Sequence, residues 1–378
     1  MPSQNSSLKS RTRTTVRKDR VGSEDQLVDR VVKSLPSITR ERDAAARLGH
    51  LRVPLGIGDD AAILSPVGES DLIFTCDAFI EGVHFLRDVH PADSVGYKAL
   101  ARAASDIAAM GGAPRAFLVT LALPQDCAGR WLDEFLAGMK RAARKLDVRL
   151  LGGDTTRTSL IFVSITVIGE IPRGFAVKRS GARPGDLIYV SGRLGGAQLG
   201  LELLRGNVAS AKRGRIANGT TTTSYRNSSA AVLQPHLYPE IRVELGAWLA
   251  SHRIASAMMD ISDGLSTDLP RLCQASGVGA TIDARRIPWV EIPPRLARRL
   301  PPAAADALQL ALHGGEDYEL LFTVPRRNLP RLREAPGFSQ LAAIGEVTRQ
   351  RKILLVDDAG RARPLQPGGW DPFRARKK

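Results

Sequence analysis

Six acidic sites punctuate this chain of 378 residues, and they restrict it more than any other feature. They are Gly56–Ile57–Gly58–Asp59–Asp60, Phe74–Thr75–Cys76–Asp77, Ser105–Asp106, Gly152–Gly153–Asp154–Thr155–Thr156, Asp260–Ile261–Ser262–Asp263–Gly264 and Gly314–Gly315–Glu316–Asp317–Tyr318. Most follow an apolar, strand-like run and read as aspartates at strand ends. Asp beside Gly is common turn chemistry, so one such site would mean little. Asp106 differs, because it falls inside an alanine-rich helix, where Asp has poor propensity and no evident local partner.

Gathered carboxylates would repel one another and take up protons unless a cation joined them. None of the six sites brings a His or a CxxC pair. Hard oxygen donors of this kind suit several Mg²⁺ ions and, through them, a polyphosphate. The chemistry this suggests is phosphoryl transfer, where positioning and charge neutralisation do most of the catalysis. Other nucleotide signatures are absent: no GxxxxGK[ST], no kinase-type HRD or DFG set, and no GxSxG. Gly192–Gly196 follows a strand and opens a helix, so it could cradle phosphate or simply pack.

Periodicity places these sites on alternating strands and helices, an α/β or α+β class. Strands are expected at Leu72–Thr75, Phe117–Leu123, Leu150–Leu151, Leu160–Ile168 and Leu187–Ser191, with the last strands drawn from 307–324 and 341–356. Helices are expected from Asp93, a plausible N-cap, to Met110, and over Trp131–Leu146, Ala197–Leu204, Ile241–His252 and Ser266–Ala275. Ordered structure is expected to begin near Gln26, where Leu27, Val31 and Val32 recur at helical spacing. Residues 206–234, with their Thr220–Thr223 run, read as a low-complexity mobile insert.

The net charge of +15 suggests a nucleic-acid partner until it is located. Residues 1–22, 205–226 and 361–378 each carry a net +5, so the remaining 316 residues are balanced. These segments lack aromatic interleaving, and a nucleic-acid binder is the weaker alternative. No apolar run approaches a membrane span, and no apolar stretch follows the basic N-terminus as it would in a secretory signal. Three scattered cysteines argue against a disulfide framework or a zinc site. The cytoplasm is the expected compartment.

The motifs GIGDDAAIL (56–64), CDAFIEGVHF (76–85), SDIAAMGG (105–112), LGGDTTR (151–157), RSGARPGD (179–186), MDISDGL (259–265) and GGEDYELL (314–321), in this order, closely resemble the thiamine-monophosphate kinase family. The resemblance spans roughly residues 25–373 without the insert. It implies a two-domain fold of the aminoimidazole ribonucleotide synthetase type, shared with selenophosphate synthetase and hydrogenase-maturation proteins, whose N-terminal sheet builds a barrel in a homodimer. The implied division is a disordered basic arm (1–22), an ATP- and Mg²⁺-binding α/β domain (23–175), a C-terminal α/β domain (176–373) and a basic tail (374–378). The implied reaction converts ATP and thiamine monophosphate into ADP and thiamine diphosphate.

Carried over by position, Asp60, Asp77, Asp106, Asp154, Asp260 and Asp263 are implied metal carboxylates, with Asp77, Asp154 and Asp263 catalytic. Thr75 and Cys76 fall in the metal shell. Gly153, Asp154, Arg179 and Ser262 would contact ATP, and His84, Glu316 and Trp370 the thiamine phosphate. Arg179 could fork onto phosphate, and the Trp370 face could stack on a cationic ring. Cys76 departs from the hydroxyl residue the family usually carries, and a thiol is a poor Mg²⁺ ligand. Another ATP-dependent enzyme of the same superfamily is the nearest rival. Selenophosphate synthetase is disfavoured because no Cys precedes Cys76.

Overall fold

Strands β4 (Ser70–Ile80) and β7 (Phe162–Pro172) pair antiparallel along their whole length and form the spine of the first sheet in a computed structural model. The structure describes residues 26, 47–48, 51–55, 59–66, 68–212, 231–298, 300–301 and 305–373. β1 (Arg47–Leu48), β2 (Leu51–Leu55) and β3 (Ala62–Ser65) extend the sheet on the β4 side, and β5 (Ala113–Leu123) and β6 (Arg149–Arg157) on the β7 side. Val163, Ile165, Val167 and Ile171 alternate with less buried residues along β7, so one face of the sheet is apolar.

Helix α1 (Ala92–Ala109) covers that face and is itself covered by α2 (Arg130–Leu146). In α2, Phe135, Gly138, Met139 and Ala142 form a single buried stripe at helical spacing. Glycines let the two backbones touch. A Cβ on Gly138 would lie 1.7 Å from the Asp93 carbonyl oxygen, and one on Gly96 1.9 Å from that of Phe135. Of the residues in α1, only Asp93, Arg102 and Asp106 are not buried. The parallel β5–α2–β6 crossover leaves β6 as an edge strand, exposed at every residue.

The second sheet has the order β14 (Ala362–Pro364), β13 (Ile353–Val356), β10 (Gly279–Asp283), β12 (Ala342–Thr348), β8 (Leu187–Val190), β11 (Leu320–Val324), β9 (Ala257–Asp260). Strands β11 and β9 are buried on both faces. Leu320, Phe322 and Val324 join the core beneath α1 and α4 (Val243–Ser251), while Leu321 joins Met259 and Ile282 beneath α5 (Leu265–Ser276). A strand buried on both faces reads as a continuous apolar run, as LLFTV and AMM do here.

Several expected boundaries shift. Of the described aspartates in the six acidic sites only Asp260 ends a strand: β4 runs on to Ile80, so Asp77 lies within it, and β6 continues through Gly152–Gly153 to Arg157, so Asp154 lies within that. Local glycine suggested breaks, but pairing to β5 carries the strand through them. Asp93 sits inside α1, whose N-cap is Pro91; its carboxylate accepts from Tyr238 and Arg141 instead. Helix α3 spans Gly196–Lys212, further than Leu204. Residues 307–313, grouped with the last strands, form helix α6 (Ala307–His313), capped by Asp306. The basic arm, the Leu27–Leu35 periodicity and residues 213–230 of the insert lie outside the described residues.

Candidate active site

Asp60, Asp106 and Asp260 come from a bend before β3, from α1 and from the end of β9, and their carboxylate oxygens lie within 4.8 Å of one another. Thr75 on β4 donates to Asp106, and Ser105 donates to Asp260 at 2.6 Å. Burial, then repulsion from Asp260 and Asp77, pushes the Asp106 carboxyl well above its usual range. Burial and Asp60 push Asp260 up to about 7. Burial and Asp60 likewise raise Asp59 to about 6. Arg179 compensates in part: its Nε and Nη2 fork onto Asp60 at 3.1 and 2.6 Å, and its backbone N–H donates to both oxygens of Asp59 at 3.2 Å.

The period of β4 explains what else joins the group. Ile73, Thr75, Asp77 and Phe79 share the face toward α1, and Asp77 meets Arg102 there at 3.1 Å. Cys76 takes the opposite face, where its thiol is exposed, 3.5 Å from Ser164 Oγ. The Cys76 side chain is therefore not brought to the carboxylates. Nor are Gly153 and Asp154. They lie on β6, three strand steps from β4 across β7 and β5, or roughly 14 Å at the usual sheet spacing. A Cβ on Gly153 would meet the Val119 carbonyl oxygen at 1.8 Å, so β6 needs glycine there to pair with β5.

The turn after β9 organises the remaining residues. Ser262 accepts from the Glu316 N–H at 2.7 Å, and Asp263 accepts at its carbonyl from the Trp370 N–H at 2.9 Å. The Asp263 carboxylate pairs with Arg271, which also reaches Asp268 at 3.3 Å. Trp370 is 38 % exposed, so its ring is not a core ring. His84 Nδ1 accepts from the Ile80 N–H at 3.0 Å, and burial together with Arg102 holds this imidazole down to about 4. It is neutral, with its proton on Nε2.

Glu316 and Tyr318 both have positive φ, 68° and 51°. Between them Asp317 turns back and accepts from the Gly195 and Ala197 N–H groups at 2.7 and 3.1 Å. The N-terminus of α3, read as a possible phosphate cradle, is thus occupied by a carboxylate of the chain itself. The Glu316 carboxylate meets Lys98 Nζ at 2.7 Å.

Sequence reasoning missed Arg102, Lys98 and His236, and named Asp59 in the first acidic site without giving it a role. A signal existed for two of the three it missed. Lys98, Arg102 and Asp106 are spaced i, i+4, i+8 in an otherwise apolar helix, which puts them on one face. His236 carried no local signal, and only the fold brings it to Lys98.

Comparison with known proteins adds the following. The model of the AIR synthase related protein, N-terminal domain, matches residues 58–171, and that of the C-terminal domain matches 183–358. Over 331 residues the chain is 38 % identical to thiamine-monophosphate kinase of Escherichia coli, covering 86 % of this chain and 94 % of the relative. The Bacillus subtilis enzyme of the same name is 33 % identical over 86 % of this chain and 95 % of its own. The structure named "AaThiL complexed with AMPPCP and TMP" superposes with a TM-score of 0.74 at 31 % identity, covering 93 % of this chain and 97 % of that one. Thiamine-monophosphate kinase from Stenotrophomonas maltophilia gives 0.63 at 35 % identity over 89 % and 96 %. Hydrogenase maturation protein HypE, at 22 % identity and a TM-score of 0.61 over 84 % and 94 %, shares the fold alone.

Proposed function

The chain belongs to the AIR synthase related protein family and, within it, to the thiamine-monophosphate kinases, and from that premise we propose that it transfers the γ-phosphoryl group of ATP to thiamine monophosphate, giving thiamine diphosphate and ADP. The observation that carries this reading is the convergence of Asp60, Asp106 and Asp260 beside the Arg179 guanidinium. The donor set fits Mg²⁺: it is all carboxylate, largely withdrawn from water, and self-repelling in a way a divalent cation relieves. Bound there, Mg²⁺ would offset the phosphate charge of ATP. Asp77, Asp154 and Asp263 are the further carboxylates we assign to metal and catalysis, with Thr75 beside them; Cys76 would serve through its backbone carbonyl.

In this reading Arg179 releases Asp60 and forks onto phosphate oxygens, and Gly153 and Ser262 line the nucleotide. The neutral His84, with Nε2–H as donor, and Glu316 orient the acceptor, and the exposed face of Trp370 stacks on its ring. An acceptor phosphate oxygen attacks the γ-phosphorus as the bond to the β–γ bridging oxygen breaks. The nucleophile is already anionic, so no general base is assigned. We divide the chain near residue 175 into N- and C-terminal halves and assign the reaction to the cytoplasm; among the described residues no helix is long and apolar enough to cross a membrane.

We further infer a homodimer. Leu150 and Leu151 are 57 % and 64 % exposed on the edge strand β6, beside Leu118 of β5. A second copy covering this edge, closing the two sheets into a barrel, would also bring Asp154 near a set of carboxylates. The test of function is direct: purified chain with ATP, Mg²⁺ and thiamine monophosphate should form thiamine diphosphate and ADP in equal amounts. ATP consumption without thiamine diphosphate would sink the reading.

A further inference from the structure

A row of buried polar groups runs behind Glu316. Lys98 Nζ, 2 % exposed, donates to Glu316 Oε2 at 2.7 Å and to His236 Nδ1 at 3.4 Å. His236 Nε2 lies 2.9 Å from His90 Nε2. An ammonium only donates, so His236 Nδ1 accepts and its Nε2 carries the proton. His90 Nε2 then accepts, and its Nδ1 lies 3.1 Å from both the N–H nitrogen and the carbonyl oxygen of Leu86. Burial and Lys98 hold both imidazoles neutral, His90 at about 4 and His236 well below its ordinary range. The row joins α1 of the first sheet, residues 231–237 and the turn before β11.

Glu316 is the one member that reaches solvent, with 23 % of its side chain accessible. It sits at φ 68°, a conformation strained for a non-glycine residue that persists only where surroundings over-determine it. The Glu316 N–H bond to the Ser262 carbonyl and the Asp317 contacts hold the backbone, and Lys98 holds the side chain. Lys98 also lies one turn from Arg102 and two from Asp106 on the same face of α1, which ties the Glu316 end of the site to the carboxylate end. We propose that Lys98, braced by His236 and His90, is a positioning residue that holds the Glu316 carboxylate toward the acceptor and so sets acceptor binding. The inference rests on the functional reading above in one respect, that Glu316 meets the acceptor.

Burial by itself would raise the Glu316 carboxyl; the Lys98 charge and its hydrogen bond, with Arg102 further off, more than reverse this and hold it at about 2. The charged groups that face it are Lys98 and Arg102 of α1, and the titratable but neutral ones are His236, His84 and, further back, His90. Asp317 adjoins it in the turn. Removing Lys98 leaves a partly buried carboxylate without its main counter-charge, which then takes up a proton more readily.

The experiment uses the full chain as wild type, Lys98→Met, Lys98→Arg, Glu316→Gln and the double variant Lys98→Met/Glu316→Gln. Steady-state rates are measured with ATP and thiamine monophosphate from about pH 6 to about pH 9. Lys98→Met should raise the acceptor KM about tenfold near pH 7, leave kcat and the ATP KM within about threefold, and recover as pH rises. Lys98→Arg should restore part of the loss. The double variant should be no worse than Glu316→Gln. Losses that multiply in the double variant, or that fall equally on kcat and KM at every pH, overturn the proposal. If Lys98→Met does not fold, a ¹³C titration of Glu316 in the wild type decides: a carboxylate ionised throughout supports the proposal, and one titrating above its ordinary range overturns it. A wild type inactive on thiamine monophosphate would overturn the functional reading, while that titration still decides the role of Lys98.

Discussion

Three carboxylates of the site each face an arginine: Asp60 meets Arg179, Asp77 meets Arg102, and Asp263 meets Arg271. Each pair is partly or wholly withdrawn from water, where a lone carboxylate would be costly. The guanidinium groups therefore hold charge that a bound cation would otherwise hold, and cation binding has to exchange one partner for another. Cys76 stands outside this exchange, because its thiol lies on the far face of β4. Cys76→Thr should leave the Mg²⁺ concentration for half-maximal rate within about twofold of wild type. A drop of an order of magnitude would mean that the side chain, and not the backbone carbonyl, meets the ion.

At the scale of elements, α1 and β6 carry the most consequence. Helix α1 is buried on nearly all sides, and the i, i+4, i+8 row that escapes burial or carries charge is the row that faces the site. Its alanines hid that row from a composition reading, although the spacing of Lys98, Arg102 and Asp106 was there to be read. Strand β6 is the reverse case. The pair Gly152–Gly153 suggested that a strand ended, yet it continues for four more residues because β5 supplies a parallel partner. No local signal distinguishes a glycine that stops a strand from one that lets two strands close up. The outcome is an exposed edge with apolar side chains, which proteins rarely leave uncovered. Leu151→Lys should shift the protein from dimer to monomer by light scattering and lower turnover with it. A variant that stays dimeric, or a monomer that stays fully active, would remove β6 from the interface.

At the scale of the whole molecule, protons occupy carboxylates that the proposed cations would need. Asp59 and Asp260, at about 6 and about 7 against an ordinary 3.8, hold protons in the folded chain that the unfolded chain has already released. On their account the ion-free fold loses stability as pH rises from about 4 to about 7. His84 and His90, held at about 4 against 6.5, act oppositely and cost stability as pH falls through that window. A divalent cation relieves only the first penalty, so the rise in Tm produced by Mg²⁺ should be larger near pH 8 than near pH 5.5. Equal rises at both would show that these carboxylates do not take up the ion. The sequence alone determined the alternation of strands and helices, the neutral motif-bearing body beneath its three basic segments, and the identity of most carboxylates, since periodicity and residue chemistry are local properties. Tertiary structure decided which of them converge. Asp60, Asp106 and Asp260 lie far apart in the chain and meet because two sheets pack on one helix. Asp154 belongs to an equally clear motif and lies three strands away, because sheet order is set by long-range pairing that no window of sequence contains. His236 reaches Lys98 for the same reason: burial of a common core, not any signal around it, brings the two together.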